Sequence, residues 1–324
     1  MADALVGAVN PSGKLSETWP LALEDTPCHP YYPGTGRTCE YREGLYVGYR
    51  YYDTANVPVR YPFGYGLSYT TFAYSDLKAD TNQVTFALTN TGPVDGAEVA
   101  QVYISCKNSK IHRPKKELKG FAKVFVKAGE RKEVTIELDD KAFRYFDTCT
   151  GRFEVETGEY EIFVAASVND VKLTATIPLL IGNAEPKATE NLPSYASGDV
   201  TAVSDEEFSA LLGRPIPDSN WTDEIDLNDP LSRLGDAKGA LALLMYRILK
   251  KKMDQNPADG MMLYVFNMPL RAVAKCTGGL ITENMAKDIQ SICNGHGFSG
   301  LCRLIGHFFS DRKRMKAFRA KIEQ

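Results

Sequence analysis

The chain has 324 residues and is 44% hydrophobic, so it can form two or three domains with apolar cores. Its 38 basic and 41 acidic residues give a net charge of −3, which excludes a global attraction to nucleic acid or to an anionic membrane; any such partner would need a local patch. The seven cysteines have no CxxC or Cys/His zinc spacing, which predicts reduced thiols and no metal site.

The N-terminal ten residues lack the basic region of a secretory signal. No apolar run reaches the roughly 20 residues that span a bilayer, so the sequence predicts no transmembrane segment and a cytoplasmic location. Residues 1–68 are rich in Gly, Pro and Tyr and contain one strand candidate, residues 45–52. Because a lone strand leaves both edges unpaired, this segment is predicted to be the end of a larger domain.

Residues 69–182 have short β-rich runs about 8 to 12 residues apart, which is typical of an all-β sandwich of the immunoglobulin or fibronectin type. The predicted strands cover residues 72–78, 84–89, 98–105, 120–127, 132–138, 152–156, 159–166 and 172–180. Residues 183–203 are polar, contain two prolines and show no period, which predicts a linker.

Residues 204–324 are predicted to be helical. Ser204 and Glu207 have capping-box spacing, Gly213 fits a helix end, Asp229-Pro230 fits a second helix start, and Thr282 fits a third. Apolar residues with helical spacing form one stripe at Leu241, Leu244, Met245, Ile248 and Leu249, a second at Met285, Ile289 and Ile292, and a third at Leu301, Leu304, Ile305, Phe308 and Phe309. Each stripe indicates a helix, and the third leads into a basic tail.

Three stretches resemble the C-terminal half of glycoside hydrolase family 3, in the order in which that family has them. They are NPSGKLSETWP at residues 10–20, YREGLYVGYRYYD at 41–53 continuing to YPFGYGLSYT at 61–70, and RPKKELKGF at 113–121. The resemblance implies a multidomain chain: residues 1–68 end the family's α/β sandwich domain, residues 69–182 form its fibronectin type III-like domain, and residues 204–324 resemble a helical extension of some bacterial members.

The resemblance also implies where catalysis takes place. Retaining glycosidases use two carboxyl groups about 5 Å apart. In this family the nucleophile is an Asp of an N-terminal barrel and the acid/base is a Glu earlier in the sandwich domain, both expected upstream of Met1. The chain is therefore expected to hold no catalytic residue and to be inactive by itself. Its implied partners are the upstream barrel and sandwich portion and, in the complete enzyme, a β-glucoside or oligosaccharide.

Loops of the sandwich domain border the sugar pocket in this family, which makes the aromatic stretch a candidate pocket border. The candidate residues are Glu43, Tyr46, Tyr49, Arg50, Tyr51 and Asp53. The structural interpretation is that the two acids orient a loop through backbone hydrogen bonds and that the tyrosines pack at a domain junction, and the sequence favours it.

Other motifs are weaker. His29, His112, His296 and His307 have no metal-ligand spacing, and the two Gly-x-Gly turns at residues 34–36 and 64–66 lack a Rossmann context, so no cofactor is predicted. The basic tail at residues 312–321 fits a membrane surface or an acidic partner, although an exposed face of a docked helix is the favoured interpretation. An alternative function is a non-catalytic module that binds carbohydrate or protein.

Overall fold

A computed structural model describes residues 2–32, 34, 36–180, 192–257, 259–277 and 280–322, with side chains described as far as Arg314. The chain divides into two compact units, Met1–Pro217 and Asp218–Gln324. Each unit is described by itself below.

The first unit begins with short elements joined by long loops. These are helix α1 (Ala2–Leu5), strand β1 (Trp19–Pro20), a 3-10 turn (Leu23–Asp25), helix α2 (Tyr49–Thr54) and strand β2 (Val59–Tyr61), and β1 pairs with β2 in antiparallel fashion. The strand predicted at residues 45–52 is wrong, because its second half is α2. Gly48 adopts a φ of 57°, and the adjacent Tyr51 and Tyr52 are both buried, which an alternating strand would not allow.

The sandwich follows as nine antiparallel strands. They are β3 (Phe72–Ala79), β4 (Gln83–Asn90), β5 (Gly96–Cys106), β6 (Glu117–Val126), β7 (Arg131–Glu137), β8 (Arg144–Asp147), β9 (Arg152–Val155), β10 (Gly158–Ser167) and β11 (Asp170–Leu179). One sheet has the order β11-β10-β5-β6, the second has β3-β4-β7, and β8-β9 is a hairpin. The predicted all-β sandwich is confirmed; β8 was not predicted.

The core of the sandwich lies between its two sheets. Phe86 of the smaller sheet and Val102 and Ile162 of the larger sheet are at most 1% exposed. Side chains alternate between this core and the outer faces, as the period of two predicts. Each fully buried side chain of this size contributes about 1.5–3 kcal/mol, so the sandwich has a complete core of its own.

Two helices end the first unit: α3 (Pro193–Ser197) and α4 (Asp205–Leu212). Of the predicted linker at 183–203, residues 183–191 lie outside the described residues. Residues 192–203 differ from the prediction, because Tyr195 and Val200 are fully buried against Tyr46 and Phe208. The neighbouring residues are polar, so the sequence did not indicate that Tyr195 and Val200 would be buried. The Ser204 cap and the Gly213 helix end are confirmed, with Ser204 Oγ accepting a 3.2 Å hydrogen bond from the Glu207 amide.

The second unit is helical, as predicted. A 3-10 helix (Leu231–Asp236) precedes α5 (Ala240–Gln255), α6 (Gly260–Asn267), α7 (Leu270–Cys276), α8 (Glu283–Cys293) and α9 (Gly297–Ile322). The Thr282 cap of α8 is confirmed. The helix start at Asp229-Pro230 is wrong, since these residues lead into the 3-10 helix. The Asp229 carboxylate accepts hydrogen bonds from Arg233 and from the Asp226 amide.

The apolar stripe predicted for α5 does not form its packing face. One of its five residues, Leu249, packs inward, together with Ala242 and Tyr246, which the stripe did not include. The other four are 42–52% exposed: Leu241, Leu244, Met245 and Ile248. On α9, Leu301, Ile305 and Phe309 are exposed as well. The period predicted both helices correctly but could not show which face would be covered. Among the described helices, none is long and apolar enough to cross a membrane.

Candidate functional site

The six candidate residues lie on the loop before α2 and on α2 itself, which packs against the fibronectin-like sandwich. The ring of Tyr49 lies 4.8 Å from that of Phe63 and 5.9 Å from that of Tyr103 on β5 (centroid distances). The hydroxyl of Tyr49 accepts a 2.8 Å hydrogen bond from the Leu118 amide on β6, and burial raises the pKa of this phenol. Tyr49 therefore joins the first segment to the sandwich.

Tyr46 lies at the centre of a second small core and is fully buried. Its hydroxyl donates to the carbonyl of Tyr195 and lies 3.3 Å from that of Arg113. Burial raises the pKa of Tyr46 to about 12, because an apolar surrounding disfavours the phenolate. The position of this tyrosine supports the structural interpretation.

Asp53 forms an ion pair with Lys116, the residue directly before β6 of the sandwich. The ammonium lies 2.8 and 2.9 Å from the two carboxylate oxygens, and both side chains are less than 10% exposed. Arg50 lies 3.2 Å from Glu117 on β6 and remains 38% exposed. Asp53 was expected to form hydrogen bonds with the backbone of its own loop. Its partner is instead a lysine 63 positions away, which no local sequence pattern could indicate.

Tyr51 and Glu43 complete the set. Tyr51 is 4% exposed, its ring centroid lies 5.1 Å from that of Tyr52, and burial raises its pKa. Glu43 is 6% exposed, and its Oε2 atom has no hydrogen-bond partner in the described part of the chain. Arg50 therefore has an accessible charged group, and the role of the six candidates as a pocket border stays a prediction.

An aromatic groove lies elsewhere on the first segment. It has a volume of about 550 Å³ and is lined by Lys14, Trp19, Tyr61, Tyr65 and Leu67, among others. The rings of Trp19 and Tyr61 are 6.1 Å apart and those of Tyr61 and Tyr65 are 5.2 Å apart. Sequence reasoning missed Trp19, although its place in the NPSGKLSETWP motif could have drawn attention to it.

Much apolar surface on residues 1–69 is open to solvent. Large hydrophobic side chains there that are at least 47% exposed include Leu5, Val6, Val9, Trp19, Leu21, Leu23, Leu45, Val47 and Leu67. Exposed apolar patches of this kind mark interaction sites or ligand-binding grooves. Within the described residues, no group of three His, Cys, Asp or Glu side chains could hold a metal ion.

Two family models match the chain in the order that the fold suggests. The glycosyl hydrolase family 3 C-terminal domain matches residues 1–69, and the fibronectin type III-like domain matches residues 98–168. The chain is 36% identical over 302 residues to thermostable β-glucosidase B of Acetivibrio thermocellus, covering 91% of this chain and 36% of that protein. Because the first unit ends at Pro217, this alignment must include part of the helical unit.

Other relatives match over shorter stretches. An exo-α-(1→6)-L-arabinopyranosidase of Bifidobacterium breve is 47% identical over 184 residues, covering 55% of this chain and 24% of that protein. The crystal structure of a family 3 β-glucosidase from Bifidobacterium adolescentis is 41% identical, with a TM-score of 0.54, covering 62% of this chain and 31% of that one. The chain thus spans about a quarter to a third of the length of the relatives that it matches.

The fold and these matches define the C-terminal portion of a multidomain protein. These matches support a glycoside hydrolase family 3 C-terminal portion, in which the family's C-terminal domain comes first and a fibronectin type III-like domain follows.

Alkaline pH should test the burial of the phenols in the junction. Burial raises the pKa values of Tyr46 and Tyr52 to about 12, above their ordinary value near 10. The folded state thus holds these protons more tightly than the unfolded state, so their stabilisation is complete below pH 10 and is lost as the pH rises towards 12. Urea midpoints measured from pH 8 to 11.5 should fall, and Tyr46→Phe should make the decline shallower.

The exposed Tyr41 provides the matched control. Tyr41→Phe should leave the slope of urea midpoint against pH unchanged. Equal slopes for the Tyr46→Phe variant and the unsubstituted chain would contradict the assignment of the buried phenol.

Proposed function

We propose that this chain is the C-terminal part of an enzyme that hydrolyses O-glycosidic bonds, and that it completes and braces the active-site domains without supplying either catalytic carboxylate. The observation that carries the proposal is the contrast between two regions. The fibronectin-like sandwich has a closed core, whereas residues 1–69 leave apolar and aromatic side chains open. Such a surface fits an upstream segment that completes the same domain.

The partner in this proposal is the upstream barrel together with the first part of the α/β sandwich. The groove beside Trp19 and Tyr61 supplies a preformed aromatic surface for it. The Asp53–Lys116 pair and the Tyr49–Leu118 hydrogen bond fix the position of α2 on the sandwich. The role of the fibronectin-like domain is then to hold the loop before α2, with Arg50, at the border of the sugar pocket.

The substrate in this proposal is a β-glucoside or oligosaccharide. The similar proteins carry the names of β-glucosidases and of an arabinopyranosidase, so the family accommodates more than one sugar. Tyr46 and Tyr51 are buried, which leaves Arg50 as the polar candidate for contact with a hydroxyl group.

Complementation tests the proposed function. The purified chain should not hydrolyse an aryl β-glucoside, because a retaining mechanism needs two carboxyl groups about 5 Å apart and the proposal places both upstream. Mixing it with a separately produced upstream portion of Acetivibrio thermocellus β-glucosidase B should give hydrolysis that neither piece shows alone. Trp19→Ser should lower the activity of the mixture while leaving the circular dichroism spectrum of the chain unchanged.

Phe146→Ser is the matched control, because Phe146 is also 53% exposed but lies in the β8-β9 hairpin. It should complement as well as the unsubstituted chain. Turnover by the chain alone, or equal losses from the two variants, would contradict the proposal.

The aromatic groove favours a second candidate, a non-catalytic carbohydrate-binding module. Aromatic rings suit the apolar faces of sugar rings, and the groove places three of them in succession. In that case the isolated chain would bind an oligosaccharide, with a heat signal in titration calorimetry that Trp19→Ser abolishes. Binding of this kind without complementation would favour the module over the enzyme portion.

A further inference from the structure

The charges of the chain are distributed very unevenly. The helical unit, residues 218–324, contains 16 Lys and Arg and 12 Asp and Glu, whereas residues 1–217 contain 22 and 29. Within the helical unit the cations lie in residues 237–324, which hold 15 Lys and Arg and 6 Asp and Glu. The net charge of −3 is therefore the sum of +4 on the helical unit and −7 on the first unit, and residues 237–324 by themselves carry +9. The positive charge of residues 237–324 favours an anionic partner for this part of the helical unit.

Helix α9 has one face against α8 and an apolar face in solvent. Gly300 lies against Ile292, and His307 Nδ1 is 2.5 Å from a carboxylate oxygen of Asp288, so this side is covered by α8. The opposite side carries Phe298, Leu301, Ile305 and Phe309, which are 86%, 40%, 51% and 68% exposed. These four residues, called the α9 stripe below, fall within about one third of the helix circumference.

Helix α5 repeats this arrangement. Its inward residues are Ala242, Tyr246 and Leu249, and its outward stripe consists of Leu241, Leu244, Met245 and Ile248. Three consecutive lysines, Lys250, Lys251 and Lys252, follow this stripe in the last turns of the helix. Leu241 and Met245 also border an apolar hollow of about 230 Å³ that is lined by residues of α5, α8 and α9.

The chemistry of this surface favours lipid over protein. Lysine is depleted in protein–protein interfaces, yet nine of the fifteen cationic residues in 237–324 are lysines. Helices that lie in a membrane interface combine Lys and Arg with Phe and Leu on the opposite face. Anionic lipid headgroups attract such cations, and the acyl boundary accepts the apolar side chains.

We propose that the helical unit binds the surface of an anionic lipid bilayer. The α9 stripe and the outward stripe of α5 enter the boundary between headgroups and acyl chains, and Lys251, Lys252, Arg312 and Lys313 contact the headgroups. The helices lie in the interface rather than cross it, in keeping with the absence of a membrane-spanning helix from the described part of the chain. This proposal does not depend on the function proposed above, because lipid binding and sugar hydrolysis are measured in separate experiments.

Vesicle sedimentation of the complete 324-residue chain tests this proposal. Vesicles of phosphatidylcholine with 30% phosphatidylglycerol should bind the chain at least tenfold more tightly than pure phosphatidylcholine, since each cation near the surface adds to the attraction. Raising the salt from 0.1 to 0.5 M should weaken binding severalfold, because the Debye length shrinks. Binding that is equal for the two lipid compositions, or absent from both, would overturn the proposal.

Paired variants separate the helical unit from the sandwich. Ile305→Ser with Phe309→Ser should reduce binding at least tenfold, whereas Phe121→Ser with Phe125→Ser, at exposed positions of β6, should leave it unchanged. Lys251→Gln with Lys252→Gln should reduce binding to the anionic vesicles, and Lys123→Gln with Lys127→Gln should not. Phe298→Ser gives a further check at the first turn of α9, and circular dichroism verifies the fold of each variant.

A second copy of the chain is the competing occupant of the two stripes. If light scattering shows a dimer that Ile305→Ser with Phe309→Ser converts to a monomer, and the unsubstituted chain does not sediment with anionic vesicles, the stripes form a protein interface and the lipid proposal is wrong.

Discussion

Lys116→Met is expected to destabilise the first unit by about 3–5 kcal/mol, because it leaves the buried Asp53 carboxylate without its cation. Both side chains are less than 10% exposed, and the ammonium contacts both carboxylate oxygens. Removing one partner of a buried pair costs more than the pair itself contributes, since the remaining charge stays desolvated. Urea unfolding followed by tyrosine fluorescence measures the loss.

Two further variants make this prediction specific. The double variant Asp53→Asn with Lys116→Met should recover much of the lost stability, because no isolated charge remains. Lys172→Met is the matched control: its partner Asp170 lies 2.7 Å away, but the side chains are 35% and 51% exposed, so the cost should stay below about 1 kcal/mol. A loss for Lys116→Met no larger than that of the control would show that the junction does not depend on the pair.

The sandwich could be predicted from sequence because its information is local. Alternation placed Val84 and Phe86 in the core, and the sequence predicted eight of the nine strands, with β8 missed. The register of the strands became visible in the structure. Helix caps are equally local, as the Thr282 side chain shows by accepting a hydrogen bond from the Met285 amide. Patterns that span a few residues therefore gave correct elements.

The junction could not be predicted in the same way. Asp53 and Lys116 are 63 positions apart, and Tyr46 contacts Tyr195 across 149 positions. No local sequence pattern therefore predicts either contact. The aromatic run that suggested a strand at residues 45–52 forms a helix, because docking on the sandwich outweighs the β propensity of tyrosine. The candidate residues were recognised as a group through the family motif, and their burial became visible in the structure.

The helical unit shows a different limit. The stripes on α5 and α9 have the period of packed helices, yet Ile248 and Phe309 face solvent. Periodicity predicts an apolar face but not what covers it, so the same pattern fits a core, a second protein or a lipid surface. Charge supplies the missing information here, because cations cluster in the same part of the chain.

Gly64→Ala is expected to cost about 3 kcal/mol or more, because it combines backbone strain with a steric clash at the junction. Gly64 has a φ of 79°, which disfavours a residue with a Cβ atom by about 1–2 kcal/mol. An alanine Cβ would lie 2.2 Å from Gln101 Oε1. Overpacking of this kind adds typically 1–3 kcal/mol.

Gln101 cannot easily move aside, because it is 3% exposed and held by hydrogen bonds. Its amide donates to the carbonyls of Gly64 and Ala166, at 3.2 and 2.9 Å, and its Oε1 accepts a 2.6 Å bond from Tyr103. Gly129→Ala isolates the strain, since Gly129 has a φ of 75° with no atom within 4 Å of the added Cβ. Equal losses for the two variants in urea unfolding would mean that Gln101 yields and that the PFGYGLSYT motif keeps Gly64 for its backbone angle alone.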